Sequence, residues 1–234
     1  MSFLDADIFI TEDGSHSLIH PQLEETYHSN HGAIQESLHT FIHAGLHECT
    51  QKDLQVLEIG FGTGLNAFLT LLEAEKKQLN IQYTAIELFP ISMSVAQTLN
   101  YPELSAKGKK EEFYLLHSAA WDEITEIRPN FQLQKLQADF TKLALIGKFD
   151  LIYFDAFSPD KQPEMWTEER FQMLYNACNE GAVLTTYSAK GAVRRAMQTA
   201  GFIVERIGGA KGKREMLRAR KAYLLTNMLN SYKR

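Results

Sequence analysis

The sequence predicts an α/β fold: a mostly parallel, seven-stranded sheet with helices on both faces and an antiparallel edge strand. Three observations carry this. Apolar β-type runs near 54–59, 81–87, 133–138, 149–155, 182–187, 202–207 and 222–226 alternate with helical patterns near 64–76, 91–99, 111–120, 167–179 and 189–200. Alternation of this kind is the signature of βαβ units. One run, Leu54-Gln55-Val56-Leu57-Glu58-Ile59, empties into Gly60-Phe61-Gly62-Thr63-Gly64. Another, Phe149-Asp150-Leu151-Ile152-Tyr153-Phe154, ends in Asp155-Ala156-Phe157-Ser158-Pro159. Two such strand ends set a nucleotide-cradling loop and a carboxylate at one edge of a parallel sheet, where α/β proteins bind ligands.

Taken in order, Ile8-Phe9-Ile10 and Ser17-Leu18-Ile19 flank Asp13-Gly14, a hairpin signal. Ile34, Leu38, Phe41, Ile42 and Leu46 give residues 31–47 the periodicity of an amphipathic helix. His39, His43 and His47 form a second stripe at i, i+4 spacing. With no carboxylate or cysteine company it reads as a partly exposed helix flank, and no metal is expected. Residues 1–47 are thus a hairpin-and-helix extension, and 48–234 the main domain. Pro90 sits where the helix after the second strand begins. No convincing helix separates 202–207 from 222–226, so the last strand is expected to pair antiparallel at the edge.

The chain has 234 residues, 44% apolar and 23% charged, which suits a globular domain with an ample core. No apolar run approaches the ~18 residues of a membrane span, and the first residues lack the basic region of a signal peptide. Two distant cysteines, Cys49 and Cys178, exclude a disulfide framework, so a cytoplasmic setting is expected. Net charge is -5, but ten Lys and Arg against Glu205 and Glu215 make residues 190–221 about +8 and the remainder about -13. An acidic body with one basic end suits local binding of a polyanion; a solvated face with basic helix ends is the competing reading.

The glycine loop departs from the dinucleotide fingerprint, because Leu65 stands where the third glycine of Gly-x-Gly-x-x-Gly belongs. Glu58 just before it would repel a pyrophosphate and suit a ligand carrying positive charge, such as the sulfonium and ammonium of S-adenosylmethionine. Gly60, Gly62 and Gly64 allow a tight turn and close backbone approach. Glu87 ends the second strand, 23 positions after Gly64, near the spacing at which an acid accepts ribose hydroxyls. Asp139 ends the third strand and is a candidate acceptor for an adenine amino group, with Phe140 beside the ring. Asp155 is delivered to the reactive end of the cofactor. Phe157 and Trp166 are candidates to wall off a flat acceptor, loop packing being the competing role of Trp166.

Four segments together resemble the methyltransferase domain of the bifunctional tRNA enzymes that make 5-methylaminomethyl-2-thiouridine. They are 58–66 (Glu58 to Asn66), 155–159 with Met165-Trp166, 186–195 (Thr186 to Arg195), and 212–217 (Gly212 to Leu217). The resemblance runs from about Tyr27-His28-Ser29 to the C-terminus. It implies a class I, Rossmann-like methyltransferase fold, S-adenosyl-L-methionine as donor, and a 5-aminomethyl uridine at the tRNA wobble position as acceptor. It places Asn66 with the cofactor residues, and Tyr187 and Lys190 with those meeting tRNA. Ala156 and Ser158 stand where the family commonly has Gly and Ala. The family's flavin oxidase region has no counterpart before Arg234, so a stand-alone methyltransferase is expected, with a separate enzyme supplying the aminomethyl group.

The chemistry expected is in-line attack of a primary amine on the donor methyl. Asp155 orients the amine and accepts the released proton. A carboxylate stabilises ammonium over free amine, so orientation is its safer role. Glu58 helps position the methionine end of the donor. Arg194, Arg195, Lys211, Lys213 and Arg214 are candidate phosphate contacts for an anticodon stem-loop. Three other readings compete: a polyamine aminopropyltransferase, disfavoured by the basic end; a non-catalytic S-adenosylmethionine-binding protein that interacts with RNA; and, more distantly, an NAD-linked dehydrogenase.

Overall fold

The computed structural model describes residues 7–223. It begins with an antiparallel hairpin, β1 (Asp7–Ile10) and β2 (His16–His20), and a two-residue strand, β3 (Glu25–Thr26), completes a sheet in the order β1-β2-β3. Helix α1 (Ala33–Ser37) runs on as a π-helical turn, Leu38–His43, and a short 3-10 turn follows at Leu46–Glu48. The expected 31–47 helix therefore forms as an irregular one. Its apolar stripe still faces inward, with Phe41, Ile42 and Leu46 buried.

The main sheet holds β4 (Asp53–Ile59), β5 (Asn80–Glu87), β6 (Ile124–Arg128), β7 (Phe131–Gln137), β8 (Phe149–Phe154), β9 (Cys178–Thr186), β10 (Ile203–Gly208) and β11 (Glu215–Arg220). Their order is β10-β11-β9-β8-β4-β5-β7-β6. Parallel pairing joins β4 to β5 and β8, β5 to β7, and β8 to β9. The helices are α2 (Leu65–Lys77), α3 (Met93–Ala96), α4 (Tyr101–Ser105), α5 (Lys110–Ser118), α6 (Glu168–Ala177) and α7 (Gly191–Thr199). Strands buried on both faces divide their side chains between two cores. Leu54, Val56, Leu151 and Tyr153 pack with α1, α2 and α5, whereas Leu57, Ile59, Ile152 and Phe154 pack with α6 and α7.

The expected fold class holds, with three local differences. An eighth strand, β6, forms the far edge and pairs antiparallel with β7 across Pro129-Asn130, a turn signal the alternation argument passed over. The helix expected at 91–99 forms only as α3, which Ser92 caps through Val95 N–H (3.2 Å), and a second short helix not expected, α4, follows with Pro102 in its first turn. The last described strand is 215–220, not 222–226; Ala222 and Tyr223 are irregular, and 224–226 lie outside the described residues. Its apolar alternation is hidden by Arg218 and Arg220, which the sheet accommodates by pairing them with Glu48 and Glu205. β11 lies between β9 and β10 and is antiparallel to both, so β10 forms that edge. No helix among the described residues is long and apolar enough to cross a membrane.

Candidate active site

The C-terminal ends of the parallel strands open on a cavity of about 510 Å³. β4 ends at the glycine loop. Gly60 continues the ladder to β5 through its N–H to Ile86 O (2.9 Å), and Asp155 N–H reaches back to Ile59 O (2.9 Å). Gly60 has φ 92°, and a Cβ there would stand 2.6 Å from the Asp155 carbonyl. The backbones of the two signature segments thus touch, which only glycine permits. Gly62 N–H donates to Glu87 Oε2 (3.1 Å), tying the loop to the end of β5. Gly64 caps α2 rather than lining the cavity, and its missing Cβ makes room for His117.

Asn66, in the first turn of α2, bridges two carboxyl groups with one amide nitrogen. Its Nδ2 donates to Glu58 Oε1 (2.9 Å) and to Asp155 Oδ2 (2.8 Å). Glu58 is fully buried, and burial pushes its carboxyl well above the usual carboxylate range, against the Asn66 hydrogen bond that pulls it down. Burial also pushes Asp155 up, to about 7, against the Asn66 hydrogen bond that pulls it down. Asn66 Oδ1 and Glu58 Oε2 are buried with no hydrogen-bond partner. Glu58 stands behind the cavity wall, whereas Asn66 and Asp155 line it.

Glu87 also lines the cavity and accepts from Phe89 N–H (2.8 Å); burial raises its carboxyl, and the Phe89 and Gly62 amides offset part of that. Asp139 caps the turn that follows β7, taking Thr141 Oγ1 (2.6 Å) and N–H (2.9 Å) and pairing with Lys142 (3.0 Å). The Thr141 hydroxyl and Lys142 hold its carboxyl low. Phe140 and Asp139 both face the cavity.

The acceptor-side candidates separate. Phe157, Tyr187 and Lys213 line the cavity, whereas Trp166 is buried behind it. Its indole N–H donates to Phe157 O (2.8 Å) and its ring packs on Phe154 at 4.8 Å, so loop packing is its place. Lys190 pairs with Asp160 outside the cavity, and Lys211 with Glu12 (3.0 Å). Arg194, Arg195 and Arg214 have no ion-pair partner among the described residues, and Arg195 and Arg214 are exposed. Much of the basic segment is therefore engaged internally: Arg206 pairs with Glu215, Arg218 and Arg220 with Glu48 and Glu205, and Lys221 donates to the carbonyls of Tyr175 and Cys178.

Sequence reasoning missed one wall entirely. Residues 20–29 and α1 contribute His20, Glu25, Tyr27, His28, Ser29 and Glu36 to the cavity. Ser158 N–H donates to Glu25 Oε2 (3.1 Å), pinning this strap to the loop after Asp155. Tyr27 packs edge-on against Phe157 at 5.1 Å and would stand 3.2 Å from a Cβ on Gly62. His28 Nε2 lies 3.4 Å from Thr63 Oγ1, and burial holds its ring neutral, with a pKa of about 4. Tyr27-His28-Ser29, where the family resemblance starts, was the available signal. The histidine stripe stays on one flank, with the His43 and His47 rings 5.3 Å apart, but its members turn to local partners: His39 Nε2 meets Gly208 O (2.8 Å), and His47 meets Glu73 (2.8 Å). No group of three or more His, Cys, Asp or Glu side chains is placed to hold a metal among the described residues.

A sheet with β11 slotted antiparallel between β9 and β10, a glycine loop after its central strand and acids at the following strand ends, defines a class I methyltransferase. Residues 111–222 match the family described as S-adenosyl-L-methionine-dependent methyltransferase. The chain has the fold of these methyltransferases and is similar, over most of its length, to the methyltransferase region of the tRNA 5-methylaminomethyl-2-thiouridine biosynthesis bifunctional proteins. It is 30% identical to the protein of that name from Leptospira borgpetersenii serovar Hardjo-bovis (strain JB197) over 211 residues, covering 84% of this chain and 32% of that one. It is 31% identical to its namesake from Ectopseudomonas mendocina (strain ymp), covering 82% of this chain and 32% of that one. The chain thus spans about a third of the length of these curated relatives. The crystal structure of MNMC2 from Aquifex Aeolicus superposes with a TM-score of 0.74 at 26% identity, over 99% of this chain and 76% of that one. Spermidine synthase from Thermotoga Maritima shares the fold (TM-score 0.51, 14% identity, 93% of this chain and 72% of that one).

Proposed function

We propose that this enzyme uses S-adenosyl-L-methionine to methylate the primary amine of a 5-aminomethyl uridine, thiolated or not, at the wobble position of tRNA, in the cytoplasm. The observation that carries the proposal is Asp155, held at the cavity wall by Asn66 and titrating near neutrality. The similarity to the tRNA-modifying proteins supports the choice of acceptor.

The cavity suits the cofactor. Its volume falls within the ~300–1,000 Å³ of small-molecule sites. Carboxyl groups on its wall, Asp155 and Glu87 among them, suit a ligand that carries positive charge. Gly60 and Gly62 give the backbone close approach, Glu87 accepts from ribose hydroxyls, and Asp139 with Phe140 meets adenine. Glu58 acts through Asn66, fixing the amide whose nitrogen in turn holds Asp155. When bound, the cofactor supplies an electrophilic methyl group on a sulfonium.

Asp155 accepts a hydrogen bond from the acceptor amine and aims its lone pair at that methyl. As nitrogen gains the methyl it must lose a proton, and Asp155 takes it; a carboxyl of pKa about 7 is matched to that task near neutral pH. Phe157, Tyr27 and Tyr187 wall the space beside Asp155 and suit an unstacked base. Arg194, Arg195 and Arg214, whose charges are not spent on internal pairs, are the phosphate contacts.

The alternative acceptor is a polyamine. The likeness to spermidine synthase concerns the fold alone, and three unpaired arginines do not suit a polycation. Methyl-labelled cofactor offered to the enzyme with tRNA carrying 5-aminomethyl uridine, and separately with putrescine and spermidine, decides between them. Label in the tRNA supports the proposal; label in the polyamine alone replaces it.

A further inference from the structure

Lys213 follows a glycine-rich loop in a basic segment, a context in which a lysine is ordinarily a phosphate contact. Its surroundings differ from those of its neighbours. The side chain lines the cavity. Nζ donates to Glu36 Oε1 (2.5 Å) and sits over the Tyr187 ring, 4.2 Å from its centroid. Glu36 is buried, with 7% of its surface exposed, and its second oxygen accepts Ser29 N–H (2.7 Å). Burial works to raise the Glu36 carboxyl, but Lys213, His28 and the Ser29 amide outweigh it and hold it charged. The ammonium is thus seated by two fixed groups, one on α1 and one at the end of β9. Among the described residues, only one of its three donors is used by a hydrogen bond. Lys213 also acts electrostatically on Asp155, lowering its carboxyl, while Glu36 raises it.

We propose that Lys213 is a specificity-determining residue of the acceptor pocket rather than a phosphate contact: it donates to a carbonyl oxygen of the uracil ring and disfavours the ammonium form of the acceptor amine. This rests on the function proposed above. It reduces the bias toward ammonium that Asp155 and Glu36 would create without a cation beside them. A fixed cation beside the amine lowers the amine's pKa, while Asp155 remains to take the proton released as the N–CH₃ bond forms and the S–CH₃ bond breaks. The charged and titratable groups facing Lys213 are Glu36 from α1, His28 from the strap, Tyr187 just after β9 and Asp155 just after β8. His28 is neutral near pH 7 because burial holds it to about 4, and burial also keeps the Tyr187 phenol protonated. The local balance is therefore one cation against Glu36 and the partly ionised Asp155.

The test compares Lys213→Met with Arg214→Ala in two readouts on tRNA carrying 5-aminomethyl uridine: the salt dependence of tRNA binding and the pH profile of methyl transfer. Wild type must first methylate this tRNA; if it does not, the proposed function fails, whatever Lys213 does. Given wild-type activity, Lys213→Met is expected to leave the slope of log K against log salt unchanged and to lower kcat about 10- to 100-fold. Its acid limb should move to higher pH, since losing the cation raises the pKa of both the amine and Asp155. Arg214→Ala is expected to reduce the salt slope by about 1 without moving the limb. Lys213→Met leaves Glu36 buried and unpaired, so Glu36→Gln/Lys213→Met, which orphans no charge, serves where the single variant does not fold. It too should keep the salt slope and lose kcat. A Lys213 variant that loses about 1 from the salt slope and retains the wild-type pH profile and kcat overturns the proposal.

Discussion

Asp155→Asn should make the protein more stable in alkaline solution while destroying its activity. In the folded chain, burial raises the Asp155 carboxyl from 3.8 to about 7. A raised acid contributes stability that is fully present below its unfolded pKa and lost as pH rises through the folded one. The window is therefore about pH 4 to 7. A shift of about three units corresponds to about 4 kcal/mol at pH 8, and about 1.5 kcal/mol of this is already lost at pH 5. Asparagine carries no charge to bury, and its carbonyl can still accept from Asn66. The advantage of Asp155→Asn over wild type should thus grow by about 2.5 kcal/mol between pH 5 and pH 8, or roughly 5–10 °C in Tm for a domain of this size. Urea titrations of both proteins at the two pH values, without cofactor, measure it. A difference that is the same at pH 5 and pH 8 would refute the burial argument for Asp155 and, with it, its fitness as a proton acceptor near neutrality.

Other outcomes follow from the same geometry. Asn66→Ala removes the donor shared by Glu58 and Asp155 and is expected to cost about 1–3 kcal/mol of stability; the acid limb of the rate profile should move to higher pH, read from initial rates across pH 5–9. Gly60→Ala would drive a Cβ to 2.6 Å from the Asp155 carbonyl at φ 92°, so calorimetry should find both lower stability and cofactor binding weakened at least tenfold. Glu87→Ala releases Gly62 N–H and removes the ribose acceptor, and isothermal titration should show cofactor affinity down by about tenfold or more with little change in tRNA affinity.

The β4, β5, β8 and α2 cores were legible because each carries one strong periodic signal and ends in a turn residue. The site's floor was legible for the same reason, since glycines and acids at strand ends have few other uses. What the sequence hid depends on tertiary pairing. β11 reads as charged until Glu48 and Glu205 are seen to neutralise Arg218 and Arg220. The basic segment likewise reads as a polyanion surface, although most of its charge is spent inside the protein, and Arg194, Arg195 and Arg214 are what remains. Trp166 and Phe157 look equivalent as aromatic residues of one loop; only the indole hydrogen bond to Phe157 O turns Trp166 inward. The strap from His20 to Ser29 carried no periodicity, and its place over Gly62 and Phe157 depends on contacts remote in sequence.

The central claim, that this cavity moves a methyl group from S-adenosylmethionine to a uridine amine under the control of Asp155, is tested most directly by nucleoside mass spectrometry. Purified enzyme would be incubated with methyl-deuterated cofactor and tRNA bearing 5-aminomethyl uridine, with Asp155→Asn as the control. One labelled methyl on that nucleoside, absent in the control although the variant still binds cofactor, is the predicted result. An unmodified nucleoside with wild-type protein that binds cofactor, or equal labelling by the variant, would contradict the account.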